Sequence, residues 1–117
     1  MHEPPYWPLT LIRSGHRGGG AVFCLPGAGA SVTAFAEFAA WIEPSLAVYG
    51  MQPRGIDGVH PPHPSAKAAA DAYLPVILKT QRNGPVHLIG HSFGGWIAFE
   101  IATRLHRASC EVGSLTV

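Results

Sequence analysis

The chain has 117 residues, with 8 Lys and Arg against 7 Asp and Glu and a formal charge of +1. That length fits one small domain or part of a larger one, and the near-neutral charge excludes the basic footprint needed to bind nucleic acid or an acidic membrane. Charged residues are 13% and hydrophobic residues 47% of the chain, against roughly 25% charged in an average globular protein, which excludes disorder. No apolar run is long enough to form a membrane-crossing helix.

Residues 1–8 open with Met-His-Glu-Pro-Pro-Tyr-Trp-Pro. They lack the basic start and apolar core of a signal peptide and read as a linker ahead of a domain over 9–117. Leu9 to Arg13 is a short β-prone run, and Ser14 to Gly20 a Gly-rich turn. Ala21-Val22-Phe23-Cys24-Leu25 is continuously apolar, as expected of a strand buried on both faces of a parallel sheet. From Ser31 to about Glu43, Val32, Phe35, Phe38, Ala39 and Ile42 recur at helical spacing, and Pro44 stops that helix. Leu46 to Gly50 predicts a second buried strand. Gln52 to Pro64 is a proline-rich loop. Ser65 is placed to cap a helix reaching about Lys79, with a kink expected at Pro75. Asn83-Gly84-Pro85 is a turn, Val86 to Ile89 a third strand, Phe93 onward a third helix, and Val112 to Val117 the start of a fourth strand. Alternation of this kind predicts an α/β fold, a three-layer sandwich around a mostly parallel sheet with right-handed crossovers. Cys24 and Cys110 are too few for a disulfide framework and read as small buried residues of a cytoplasmic protein.

Gly90-His91-Ser92-Phe93-Gly94-Gly95 joins the third strand to the third helix and matches G-x-S-x-G, the nucleophile elbow. Ser92 must sit on a strained turn so that its Oγ stands free above the sheet. Gly90 and Gly94 let neighbouring backbone approach, and His91 and Gly95 complete the elbow. The helix N-terminus then faces the developing negative charge. In such an architecture one oxyanion N–H comes from the loop after the first buried strand, here Pro26-Gly27-Ala28-Gly29-Ala30. The other comes from the residue after the nucleophile. Ala28 and Phe93 are therefore the expected donors. A dinucleotide reading of Gly27-x-Gly29 fails, because Val32 stands where a third Gly is required and no acidic residue ends the second strand.

Four stretches carry a resemblance: Pro8 to Arg13, Phe23 to Gly29, Val48-Tyr49-Gly50-Met51-Gln52-Pro53-Arg54-Gly55, and Gly90 to Glu100. Together they resemble the thioesterase domain of non-ribosomal peptide and polyketide synthetases, in its N-terminal half. The Tyr-Gly-x-Gln-Pro-Arg-Gly run is more specific than the elbow. The resemblance implies an α/β-hydrolase-like fold and a carrier-protein partner whose phosphopantetheine bears the substrate, with no cofactor bound directly. It also implies release of an acyl or peptidyl chain by hydrolysis or macrocyclisation through an acyl-Ser92 intermediate. A general esterase on the same elbow is the alternative, as is a non-catalytic carrier-docking module for these residues alone.

A Ser hydroxyl needs a base. In the order Ser, Asp, His, the catalytic Asp and His are expected beyond Val117. These residues alone are then expected to be nearly inert, and to dimerise through an open strand edge. The histidines present are poor substitutes. His91 is adjacent to Ser92 and points away from it, and His87 lies on a strand. His60 and His63 lack a third ligand, so no metal site is expected. His106 is roughly 20 Å along the helix from Ser92 at about 1.5 Å per residue. Asp57 and Asp71 precede Ser92, and Glu100 is read as a capping or pairing residue. Trp96, Phe99, Phe35 and Phe38 are candidates for an acyl pocket, with core packing as the ordinary alternative.

Overall fold

A computed structural model describes residues 7–27, 31–54, 62–81 and 84–117. In chain order it holds β1 (Leu9–Arg13), β2 (Ala21–Leu25), a 3-10 helix (Val32–Phe35) running into α1 (Ala36–Ala39), β3 (Ala47–Met51), α2 (Ala66–Thr80), β4 (Val86–Gly90), α3 (Phe93–Arg107) and β5 (Val112–Thr116). The five strands lie in the order β1-β3-β2-β4-β5. β2 runs parallel to both β3 and β4, and β4 parallel to β5. Only β1 is antiparallel, pairing Leu9 with Met51 and Leu11 with Tyr49.

The continuous apolarity of β2 has the expected cause. Ala21, Phe23 and Leu25 enter a large core shared with Ala70, Tyr73 and Ile77 of α2 and Ile97, Ile101 and Leu105 of α3. Val22 and Cys24 point the other way, against Phe35, Ala39 and Val48. Helices thus cover both faces of a mostly parallel sheet, which is the predicted three-layer arrangement. Parallel order brings the carboxyl ends of β2, β3 and β4 to one edge, where α/β sheets build their sites.

Two elements differ from expectation. The helix predicted to reach Glu43 stops at Ala39. The Arg13 guanidinium accounts for this. Nη1 donates to the carbonyls of Ala39 and Ile42 at 2.5 and 2.8 Å, and Nη2 to those of Glu43 and Leu46 at 2.6 and 2.7 Å. These carbonyls find a partner outside the helix, and Trp41, 87% exposed, has no core to pack against. The second buried strand is displaced by one residue, from Leu46–Gly50 to Ala47–Met51, because Met51 is wholly buried. Ser65 Oγ accepts from the Ala68 N–H at 3.0 Å. α2 stays helical across Pro75, whose missing bond falls on the solvent side, where Asp71 and Pro75 are exposed. No helix among the described residues is long and apolar enough to cross a membrane.

Candidate active site

Ser92 lies between the last residue of β4 and the first of α3, with φ 57° and ψ −124°. For a residue with a Cβ that is a strained, left-handed φ. The turn is held by three backbone bonds: His91 N–H to Leu25 O at 3.0 Å, Gly94 N–H to His91 O at 2.9 Å and Gly95 N–H to Ser92 O at 2.9 Å. The first of these ties the elbow to the end of β2. Ser92 occupies the N-cap position, yet its hydroxyl makes no capping bond to its own helix and stays exposed. The Phe93 N–H, at the first position of α3, belongs to the group that has no partner within a helix.

The glycines answer to close approach. A Cβ on Gly94 would lie 2.6 Å from the Leu25 carbonyl carbon and 2.6 Å from Pro26 O. One on Gly90 would lie 2.6 Å from Gly95 Cα. These neighbours are backbone and cannot swing aside. A Cβ on Gly27 would come 3.3 Å from Ser92 Cβ, so the exit of β2 abuts the serine.

An apolar groove of about 350 Å³ opens beside Ser92, lined by Gly95, Trp96, Phe99, Leu115 and Val117. Helical spacing explains it, since 92, 95, 96 and 99 fall on one face of α3. Trp96 is 68% and Phe99 55% exposed. These two aromatics therefore flank the serine, whereas Phe35 is buried in the smaller core and Phe38 is exposed on α1.

The remaining candidates take structural places. His87 Nδ1 lies 2.9 Å from Ser114 Oγ across β4 and β5. Asp71 and Glu100 both pair with Arg104 at 2.7 Å, and these hydrogen bonds, that to Asp71 first, raise the guanidinium pKa. His63 stands edge-on to Tyr73 at 5.6 Å, and burial together with the Arg54 charge lowers its pKa. No hydrogen bond joins Ser92 to an imidazole among the described residues, nor do these residues form a metal-binding cluster. Ala28, Asp57 and His60 lie outside the described residues. Cys24 is buried and its thiol is pushed up to about 12 by that burial. Cys110, expected to be buried, is half-buried, because it follows the last turn of α3 at the rim of the core. Two tertiary anchors escaped the sequence reading, Arg13 and Gln52. The only signal was their presence in the stretches that carry the family resemblance.

A mostly parallel sheet with a strained serine at the turn into α3 places the protein in the α/β-hydrolase class. Residues 21–117 match the family model of the thioesterase domain, and the chain belongs to that family. It is 36% identical over 77 residues to the nonribosomal peptide synthetase btyA of Aspergillus terreus, covering 66% of this chain and 8% of that protein. It is 31% identical over 101 residues to the vanchrobactin synthetase VabF of Vibrio anguillarum, covering 86% and 4%. The type II thioesterase BorB from the borrelidin biosynthetic cluster superposes with a TM-score of 0.81 at 30% identity, over 90% of this chain and 43% of that one. The chain thus spans less than a tenth of either synthetase and less than half of BorB.

Proposed function

We propose that these residues form the nucleophile-bearing part of a thioesterase that releases an acyl or peptidyl chain from the phosphopantetheine of a carrier protein. The observation that carries this reading is Ser92: strained, exposed, free of capping duty and set beside an apolar groove. The Ser92 Oγ attacks the thioester carbonyl and gives its proton to a base. The oxygen of the tetrahedral adduct takes up negative charge, which the N–H groups of Phe93 and Ala28 stabilise. The C–S bond then breaks, the thiol leaves with the proton held by the base, and an ester remains on Ser92. Water or a nucleophile within the acyl chain resolves that ester. Trp96 and Phe99 give the chain an apolar wall. The base and its orienting carboxylate are a His and an Asp expected beyond Val117 in the whole protein. A carrier partner is supported by the synthetases to which the chain is similar.

Labelling of the whole protein with a fluorophosphonate, followed by mass spectrometry, tests the reading. The adduct is expected on Ser92, and a label that persists unchanged in Ser92→Ala overturns it. Turnover of a pantetheine thioester against a simple ester separates it from a general esterase, which would prefer the ester.

A further inference from the structure

β5 is out of step with β4. Val86 pairs with Val112, but His87 pairs with Ser114, Leu88 with Leu115 and Ile89 with Thr116. Gly113 is therefore one residue too many for the ladder, a β-bulge, and a glycine inside a strand is a common mark of one. Side chains alternate along a strand, so a slip of one residue turns every later side chain to the opposite face. With the extra residue, Val112 and Leu115 share the face of Val86 and Leu88, on the side of α3, and Leu115 and Val117 line the groove beside Ser92. Val117 also rests on Gly95, where an added Cβ would lie 3.2 Å from its Cγ1. In an unbulged ladder starting at Val112, Ser114 and Thr116 would take those places and make that wall polar. The groups that hold the bulge are on the other face. His87 Nδ1 lies 2.9 Å from Ser114 Oγ. The same ring covers Gly113, where a Cβ would fall 2.5 Å from Cε1 and 2.9 Å from both ring nitrogens. Nothing in the acyl-transfer scheme uses His87.

We infer that His87 is a positioning residue for acyl specificity: bonded to Ser114 and seated over Gly113, it fixes the phase of β5 that turns Leu115 and Val117 to the groove. This rests on the acyl-serine reading above, and it makes the preferred substrate a thioester with an apolar acyl chain. Such a chain gains from each apolar wall group it covers, whereas an acetyl group has little surface to bury. Loss of the phase should therefore weaken the preference for the longer chain. A protein that is merely less stable would lose both activities alike.

The test is turnover of hexanoyl-pantetheine and acetyl-pantetheine by the whole protein. The readout is the ratio of their kcat/KM values, which does not depend on the fraction folded. Ser114→Ala and His87→Ala each remove the bond and should lower the ratio about threefold to tenfold, the shift that one hydrogen bond gives an equilibrium. His87→Asn puts an amide near the place of Nδ1 and should restore most of it. Deleting Gly113 removes the extra residue yet leaves Leu115 and Val117 in phase, so the ratio should stay at wild type. A fall there as large as in His87→Ala would overturn the role of phase. If His87→Ala does not fold, Ser114→Ala tests the same bond from an exposed position. Leu115→Ala thins the wall directly and should lower the ratio about tenfold. If it does so while Ser114→Ala and His87→Ala keep the wild-type ratio, the positioning role is overturned and the groove stands. If Leu115→Ala leaves the ratio unchanged, the groove does not hold the acyl chain and the inference falls, while the labelling of Ser92 still decides the acyl-serine reading.

Discussion

Two exits from the sheet meet at Ser92, and they are built differently. At the exit of β4 the chain turns into α3 through two bonds within five residues, Gly94 N–H to His91 O and Gly95 N–H to Ser92 O, with one further bond, His91 N–H to Leu25 O, seating the turn on β2. At the exit of β2 the next helix is held by residues far away in sequence: Gln52 caps its start, Gly50 receives Val32, and Arg13 gathers the carbonyls beyond Ala39. The first turn is recognisable from its local sequence and carries a strained φ, though it seats on the end of β2. The second is specified by tertiary contacts, and its helix is short for that reason. A site that needs both thus depends on one motif and on one set of long-range anchors.

The largest expected effect falls on the local exit. Ser92→Ala should lower thioester turnover by about a millionfold and leave the melting temperature near wild type, since the side chain caps nothing. Gly94→Ala comes next and should strike folding and activity together. Its methyl would lie 2.6 Å from the backbone of Leu25 and Pro26, so a loss of about 3 kcal/mol or more is expected in urea unfolding. Wild-type stability of Gly94→Ala would show that the elbow does not seat on β2.

The same contrast explains what the sequence disclosed. β2 was legible because five consecutive apolar residues can only be satisfied between two layers. The Ser65 cap and the strained turn at Ser92 were legible because both follow local rules. The helix after β2 was misjudged in length, since apolar spacing through Ile42 continues beyond Ala39 while the carbonyls there go to Arg13, 26 to 33 residues earlier. Periodicity reports which face is apolar and says nothing of a distant donor. The aromatic candidates divided for a related reason. Phe35 and Phe99 are equivalent by hydropathy, yet only Phe35 has a layer above it.

The distant anchors can be broken in turn. Arg13→Ala removes four bonds to carbonyls and should cost about 3 kcal/mol, and Arg13→Lys should recover little of it. An ammonium is a point charge and cannot span four acceptors as the planar guanidinium does. Ser92 labelling should fall less than in Gly94→Ala, because the elbow itself is untouched.

The smallest effect is the most discriminating, because it reads the layer over β2 directly. Cys24 lies on the face of β2 covered by Phe35 and Ala39. Burial raises its thiol from 9.0 to about 12, so between those values the unfolded chain releases a proton that the folded one keeps. Stability contributed by the buried thiol is therefore complete below pH 9 and declines as pH rises towards 12, by about 1.4 kcal/mol per unit. Cys24→Ala should flatten that decline relative to wild type when unfolding is followed from pH 8 to pH 10.5. Iodoacetamide at pH 8 should modify the half-buried Cys110 first and leave Cys24 intact, since the thiolate is the nucleophile. In Arg13→Ala, Cys24 should become reactive before global unfolding, as the helix over β2 lifts. Equal protection of Cys24 in both proteins would mean that Arg13 does not hold this layer, and that the exit of β2 is as locally determined as the elbow beside it.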